Sequence, residues 1–129
     1  MSTTGITWHA RVLDQEAFDA TVTMLADAFG LQPNMAMDGF KQYEFDNGSM
    51  LELYVAGGPM VPDYGYNVEG ISFGFRVEDV AEASAALEAA GAQLLGEINR
   101  VPDFNYAYRH FRGVDGVVYG LNESKPQPA

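Results

Sequence analysis

The chain has 129 residues, 47% of them hydrophobic and 12% aromatic, enough for a single domain with a real core and incompatible with wholesale disorder. Eighteen acidic residues against seven Lys and Arg give a net charge of −11, which argues against nucleic-acid binding; its plainer role is solubility, and it would also favour cationic ligands at long range. No cysteine is present, so disulfides and thiolate metal sites are excluded; no apolar run approaches the length of a membrane helix, and the polar start "MSTTG" is unlike a signal peptide. A cytoplasmic location is the default expectation.

Residues Ile6 to Val12 alternate as a strand that leads into a helix. Asp14 is a good N-cap, because its carboxylate can accept from free amides of the first turn. Phe18, Val22, Leu25 and Phe29 recur at helical spacing, and Gly30 supplies a left-handed stop. Two strands, "FKQYEF" and "SMLELYV", follow, joined by Asp46-Asn47-Gly48-Ser49. Asn-Gly predicts a two-residue hairpin loop with positive φ at both central residues. That loop pairs Tyr43 with Glu52.

The stretch "AGGPMVPDYGY" carries two prolines and three glycines and predicts a linker over about residues 57–69. The second half then repeats the first. Ile71 to Val77 alternates as a strand, Asp79 caps a helix striped by Val80, Ala83, Leu87 and Ala90, and Gly91 ends it. "LLGEI" predicts a short strand, "FNYAYRHF" a longer one, "RGVDG" a turn and "VVYGL" the last strand. Thr7 to Asp14 and Ser72 to Asp79 are both seven residues apart, and the offset of 65 persists through strand, cap and helix. The pattern is two βαβββ modules, about 5–56 and about 70–122, within one domain over 1–129. The tail "ESKPQPA", 123–129, is expected to fray.

Alternation assigns faces. Trp8, Ala10 and Val12, then Leu51, Leu53 and Val55, and in the second module Phe73, Phe75 and Val77 form the sets expected to pack under the helices. Thr7, His9 and Arg11, Met50, Glu52 and Tyr54, and Ser72, Gly74 and Arg76 point the other way. That second face is polar with aromatics, so it is expected to line a cleft.

At this point the residues resemble the vicinal oxygen chelate superfamily, the glyoxalase / bleomycin resistance / dioxygenase family, over roughly residues 5 to 122. "FRVEDVAEASAALEAAGAQLL" is similar to its second strand and helix, and "FRGVDGVVYGL" to its terminal "F-x-D-P-D-G-N-x-x-E-L" stretch. The resemblance implies an α+β fold in which two βαβββ modules form a curled mixed sheet around a cleft. Metal-dependent members place ligands, usually His, Glu, His and Glu, on the first and last strands of each module. By spacing those positions are Thr7, Glu52, Ser72 and Gly120, and only Glu52 survives. Two hydroxyls and a bare glycine cannot replace imidazole and carboxylate, so no metal and no cofactor are expected.

The remaining candidates are pocket residues. Glu52 is a hydrogen-bond acceptor or counter-ion for a ligand amine or hydroxyl, or else is satisfied internally by Tyr43, Arg11 or Arg76. Tyr106, Tyr108 and His110 share one face of "NYAYRHF", and tyrosines suit planar, heteroatom-rich ligands. Met35, Met37, Phe40, Met50 and Met60 suggest an adaptable apolar rim, although Met in a core is the more common case. Arg11 and Arg76, equivalent in the two modules, are rim salt-bridge residues or binders of a carboxylate or enolate. His9, Glu52 and His110 form the one alternative ligand set for a metal. No nucleophile–base spacing and no phosphate loop are present.

The expected role is metal-independent binding and sequestration of a small aromatic or cationic natural product, as in bleomycin-resistance-type proteins. Its ligand face comprises Thr7, His9, Tyr43, Met50, Glu52, Tyr54, Ser72, Arg76, Tyr106, Tyr108 and His110. The alternative is an enzyme of the same superfamily: a lyase, isomerase or dioxygenase, or a metal-free biosynthetic enzyme. A homodimer is expected, with neither nucleic acid nor membrane as partner.

Overall fold

The computed structural model describes residues 3–12, 14–55 and 71–124, apart from the side chains of residues 9–12, 71 and 72. The elements are β1 (Thr3–Val12), α1 (Gln15–Phe29), β2 (Met35–Met37), β3 (Phe40–Glu44) and β4 (Met50–Val55), then β5 (Ile71–Val77), α2 (Val80–Ala89), β6 (Gln93–Val101), a 3-10 turn (Pro102–Phe104), β7 (Tyr106–Arg112) and β8 (Val118–Ser124). The fold is α+β, with strand, helix and three strands run through twice, as the repeat predicts. The expected linker and Met60 lie outside the described residues. Two compact units result: the first is Trp8–Ser72, and the second is Met1–Thr7 together with Phe73–Ala129.

Both helices begin where a carboxylate can satisfy the first free amides. Asp14 Oδ1 accepts from the Ala17 amide at 2.8 Å and Asp79 Oδ1 from the Glu82 amide at 2.9 Å, the geometry an N-cap requires. Gly30, at φ 67°, ends α1 and donates to Ala26 and Leu25 carbonyls. α1 buries Phe18 and Leu25, but Phe29 is 72% exposed. The helical stripe overshoots there, because Phe29 is the last helical residue before the chain turns at Gly30. Trp8, expected in the core, is 47% exposed, whereas its neighbour Thr7 is fully buried. Burial at this point of β1 falls on the polar side because the Thr7 hydroxyl has an internal acceptor, Asn122.

In the first unit β2, β3 and β4 are adjacent and antiparallel. β2 had no signal of its own, being three residues long. The hairpin between β3 and β4 departs from expectation by one residue. Phe45 donates to the Ser49 carbonyl and Gly48 to the Phe45 carbonyl, so the loop has three residues and not two. Positive φ is confined to Gly48, at 86°, while Asn47 Oδ1 accepts from the Ser49 amide at 3.0 Å and from its hydroxyl at 2.5 Å. This is a type I turn with a following left-handed glycine, the common three-residue solution. One extra loop residue moves every pair by one and exchanges the faces. Gln42, not Tyr43, stands opposite Glu52, and Tyr43 pairs with Leu51.

The second unit orders its strands β5-β8-β7-β6, with β5 and β8 parallel and the other pairs antiparallel. Val77, Val80, Ala83, Phe111 and Leu121 form its core under α2, with Phe75, Leu87, Leu94, Ile98 and Tyr119 packed around them. Aromatic rings carry much of this layer: Phe75 stacks on Phe111 at 6.4 Å and Phe111 on Tyr119 at 5.4 Å, and Phe73 meets Tyr119 edge-on at 5.3 Å. The Phe73, Phe75 and Val77 set therefore faces the helix as the alternation predicts. β6 is longer than "LLGEI", since an irregularity between Leu95 and Asn99, with Gly96 at φ 64°, lets pairing resume. β8 also runs further than expected, to Ser124. Glu123 is buried, and Glu123 Oε1 accepts from the Val80 amide at 3.0 Å, so the start of the supposed tail is a second cap on α2.

Candidate functional site

Each unit presents a polar face on the side of its strands away from its helix. In the first unit that face carries Met35, Phe40, Gln42, Met50, Glu52 and Tyr54, all buried. Met35, Phe40 and Met50 are therefore interior side chains, the core alternative to an adaptable rim. Glu52 accepts from Gln42 Nε2 at Oε2, 2.7 Å away, and from the Tyr54 hydroxyl at Oε1, 3.2 Å away. Gln42 is oriented in turn by Asn34, whose Nδ2 donates to Gln42 Oε1 at 2.8 Å. Of the internal partners expected for Glu52, Tyr43 stands on the other face of the strands and the Arg11 side chain lies outside the described residues; Gln42 and Tyr54, not expected, donate to the carboxylate.

Tyr43 leaves the candidate set. It lies with Lys41 and Leu53 on the face toward α1, where Lys41 Nζ stands 5.9 Å over the Phe18 ring. It is fully buried, its hydroxyl has no hydrogen-bond partner among the described residues, and desolvation raises its pKa above the ordinary tyrosine value.

In the second unit the polar face gathers most of the other candidates. Register sets Tyr108 beside Asn122 and Asn122 beside Arg76, and next to that row His110 beside Gly120 and Gly120 beside Gly74. Tyr106 pairs with Ser124 at the end of the same face. The rings form a ladder along β7, Tyr106 to Tyr108 at 5.7 Å and Tyr108 to His110 at 6.0 Å. Thr7 joins this face: its hydroxyl, fully buried, donates to Asn122 Oδ1 at 2.8 Å. Arg76 donates to the Ser124 carbonyl at 3.2 Å. The chain is bare where the two glycines meet, and a Cβ on Gly74 would land on the Gly120 backbone. The side chains of His9, Arg11 and Ser72 lie outside the described residues.

Thr7, Arg76, Tyr106, Tyr108 and His110 are thus brought together in one unit, while Met50, Glu52 and Tyr54 share a face of the other. Sequence reasoning missed Gln42 and Asn122. Asn122 was legible, two residues beyond Gly120 and so on its face; Gln42 was hidden by the hairpin register.

The positions that hold a metal in metal-dependent relatives of this fold do not supply a ligand set here. Thr7 offers a hydroxyl already engaged by Asn122, residue 72 is a serine and residue 120 has no side chain. Glu52 alone is a good ligand for a divalent cation. Among the described residues no group of three or more His, Cys, Asp or Glu is placed to hold an ion.

Solved structures define the fold class. Methylmalonyl-CoA epimerase from Mycobacterium tuberculosis superposes with a TM-score of 0.66 at 19% identity, over 96% of this chain and 90% of that one. A variant of the Streptomyces coelicolor methylmalonyl-CoA epimerase, in complex with 2-nitronate-propionyl-CoA, gives 0.60 at 20% identity over 96% and 97%. A glyoxalase/bleomycin resistance protein/dioxygenase superfamily member from Vibrio splendidus gives 0.55 at 14% identity over 93% and 97%. The chain has the vicinal oxygen chelate fold. No family model and no curated protein matches it.

Proposed function

We propose that the chain binds a small aromatic ligand without metal and without altering it, on the polar face of the second unit. The observation that carries this reading is the Tyr106–Tyr108–His110 ladder beside the Thr7–Asn122 pair. Flat rings with polar edges provide contact area at low entropic cost, and the helix-facing side of the same strands is already spent on the core. The same fold hosts both binders and enzymes, so the site and not the fold carries the argument. A role in sequestering an antibiotic or other natural product fits such a site, and we place the protein as a homodimer.

The test is calorimetric titration of chelator-treated protein with a panel of aromatic natural products, followed by recovery of the ligand. Binding is expected at the same affinity before and after chelation, with the compound recovered unchanged. Tyr108→Ala is expected to weaken binding about tenfold, since a stacked ring is worth about 0.5–1.5 kcal/mol beyond its area. Chemical conversion of the compound would move the protein to the enzyme reading. One observation favours that alternative: a buried carboxyl group, Glu52, to which Gln42 and Tyr54 donate, in a fold shared with epimerases.

A further inference from the structure

The loop between β3 and β4 holds Asn47-Gly48, and of the chain's six asparagines Asn47 is the one followed by glycine. Asparagine is chemically labile. It is most so before glycine, whose missing side chain leaves the next backbone nitrogen open to attack the amide carbon. Asn47 is exposed, yet the loop restrains both groups that would react. The Gly48 amide donates to the Phe45 carbonyl at 3.0 Å. The Asn47 amide is anchored through Oδ1, which accepts from the Ser49 amide at 3.0 Å and from the Ser49 hydroxyl at 2.5 Å. An asparagine bonded to the backbone two residues on is a common turn device. Here it also holds a side chain that must swing in order to react.

From this arrangement we infer that Asn47 is a site of spontaneous covalent modification, deamidation through a cyclic imide, and that Ser49 sets its rate in the folded chain. The Gly48 nitrogen loses its proton to solvent and bonds to Asn47 Cγ. The Cγ–Nδ2 bond breaks, and that nitrogen takes a proton from water and leaves as ammonia. Water then opens the ring at either carbonyl, giving aspartate or isoaspartate; nothing is oxidised or reduced. Ring closure needs both restraints to open, and loop tips open locally at far lower cost than strands. The consequence lies in the pairing of β3 with β4. Isoaspartate carries the chain through its side chain and adds a methylene to a loop closed by the Phe45 amide on the Ser49 carbonyl. Loop length sets register, and this register places Gln42 opposite Glu52. Modification at the tip is therefore felt at the buried Gln42–Glu52 bond.

Peptide mapping by mass spectrometry tests it, on protein incubated at mildly alkaline pH with the urea-unfolded chain in the same buffer as reference. Electron-transfer fragmentation separates aspartate from isoaspartate. Folded wild type is expected to be modified at Asn47 before any other asparagine, and about tenfold more slowly than the unfolded chain, the factor that two modest hydrogen bonds supply. Ser49→Ala removes the hydroxyl donor and is expected to speed modification of the folded protein severalfold while leaving the unfolded rate unchanged. The separated isoaspartate form is expected to unfold at lower urea and to show shifted Gln42 side-chain amide signals in nitrogen-15 spectra. Asn47→Asp keeps the acceptor and the ordinary backbone, and is expected to stay close to wild type in both. Equal rates in folded and unfolded wild type, or an unchanged rate in folded Ser49→Ala, overturn the part given to Ser49. Unmoved Gln42 signals in the isoaspartate form overturn the link to Glu52. An intact Asn47 in folded protein when the unfolded chain is fully converted overturns the inference altogether.

Discussion

The two units share a backbone plan and differ in what they do with charge. Each starts with a strand, caps its helix with an aspartate at the same point of the repeat, and packs that helix on alternating apolar residues. On the polar face they diverge. The first unit buries an acid, Glu52, and surrounds it with the donors Gln42 and Tyr54. The second places Arg76, Asn122 and tyrosines on that face and puts its buried acid, Glu123, on the helix side, where it caps α2. Caps and helix-facing sets answer to the backbone and so recur. The polar faces answer to a ligand or to local satisfaction and are free to diverge.

The largest effect expected from breaking this comparison is at the glycine pair of the second unit. Gly74→Ala puts a Cβ onto the Gly120 backbone, and backbone cannot swing away as a side chain can. A loss of about 3 kcal/mol is expected from overpacking, measured by urea unfolding. Next comes the acid of the first unit. Gln42→Leu removes the 2.7 Å donor to Glu52 and is expected to cost about 2 kcal/mol, since a buried carboxyl group loses a hydrogen-bond partner. Tyr43→Phe, one residue along the strand, carries the opposite sign: its hydroxyl is buried without a partner among the described residues, so stability is expected to stay level or rise by about 1 kcal/mol.

The smallest effect is a pH dependence in the hairpin between β7 and β8. The Tyr119 hydroxyl donates to Asp115 Oδ2 at 2.5 Å, and the Val117 amide donates to Oδ1 at 3.0 Å. The Tyr119 bond, then the Val117 amide, hold the Asp115 pKa below its ordinary value, and the same Asp115 bond raises that of Tyr119. A depressed carboxylate adds stability that is present above its unfolded pKa and lost as pH falls through the folded one; a raised phenol adds stability present below its unfolded pKa and lost as pH rises through the folded one. Tyr119→Phe is therefore expected to flatten the stability profile slightly at both ends of the pH range. Solvent exposure keeps the change small.

Much of this was written in local sequence. Asp14, Asp79 and Gly30 act through bonds within a few residues of themselves, and the second module's apolar alternation survives intact because one strand face meets one helix. The failures come from longer range. The loop after Phe45 takes three residues through Asn47 side-chain bonds, and that single residue moves Tyr43 out of the candidate site and Gln42 into it. Thr7 is buried and Trp8 is half exposed because an acceptor lies 115 positions away. Glu123 reads as tail until the Val80 amide, 43 positions earlier, is found beside it.

The central claim is that the tyrosine-lined face of the second unit is where the ligand sits. Nitrogen-15 shift mapping of chelator-treated protein with acetylnaphthalene tests it most directly. The expected result is perturbation of Tyr106, Tyr108, His110, Gly120, Asn122 and Arg76, with the helix-facing Phe111, Leu121 and Val80 amides less affected. Shifts confined to α2 and the residues packed beneath it would contradict the account.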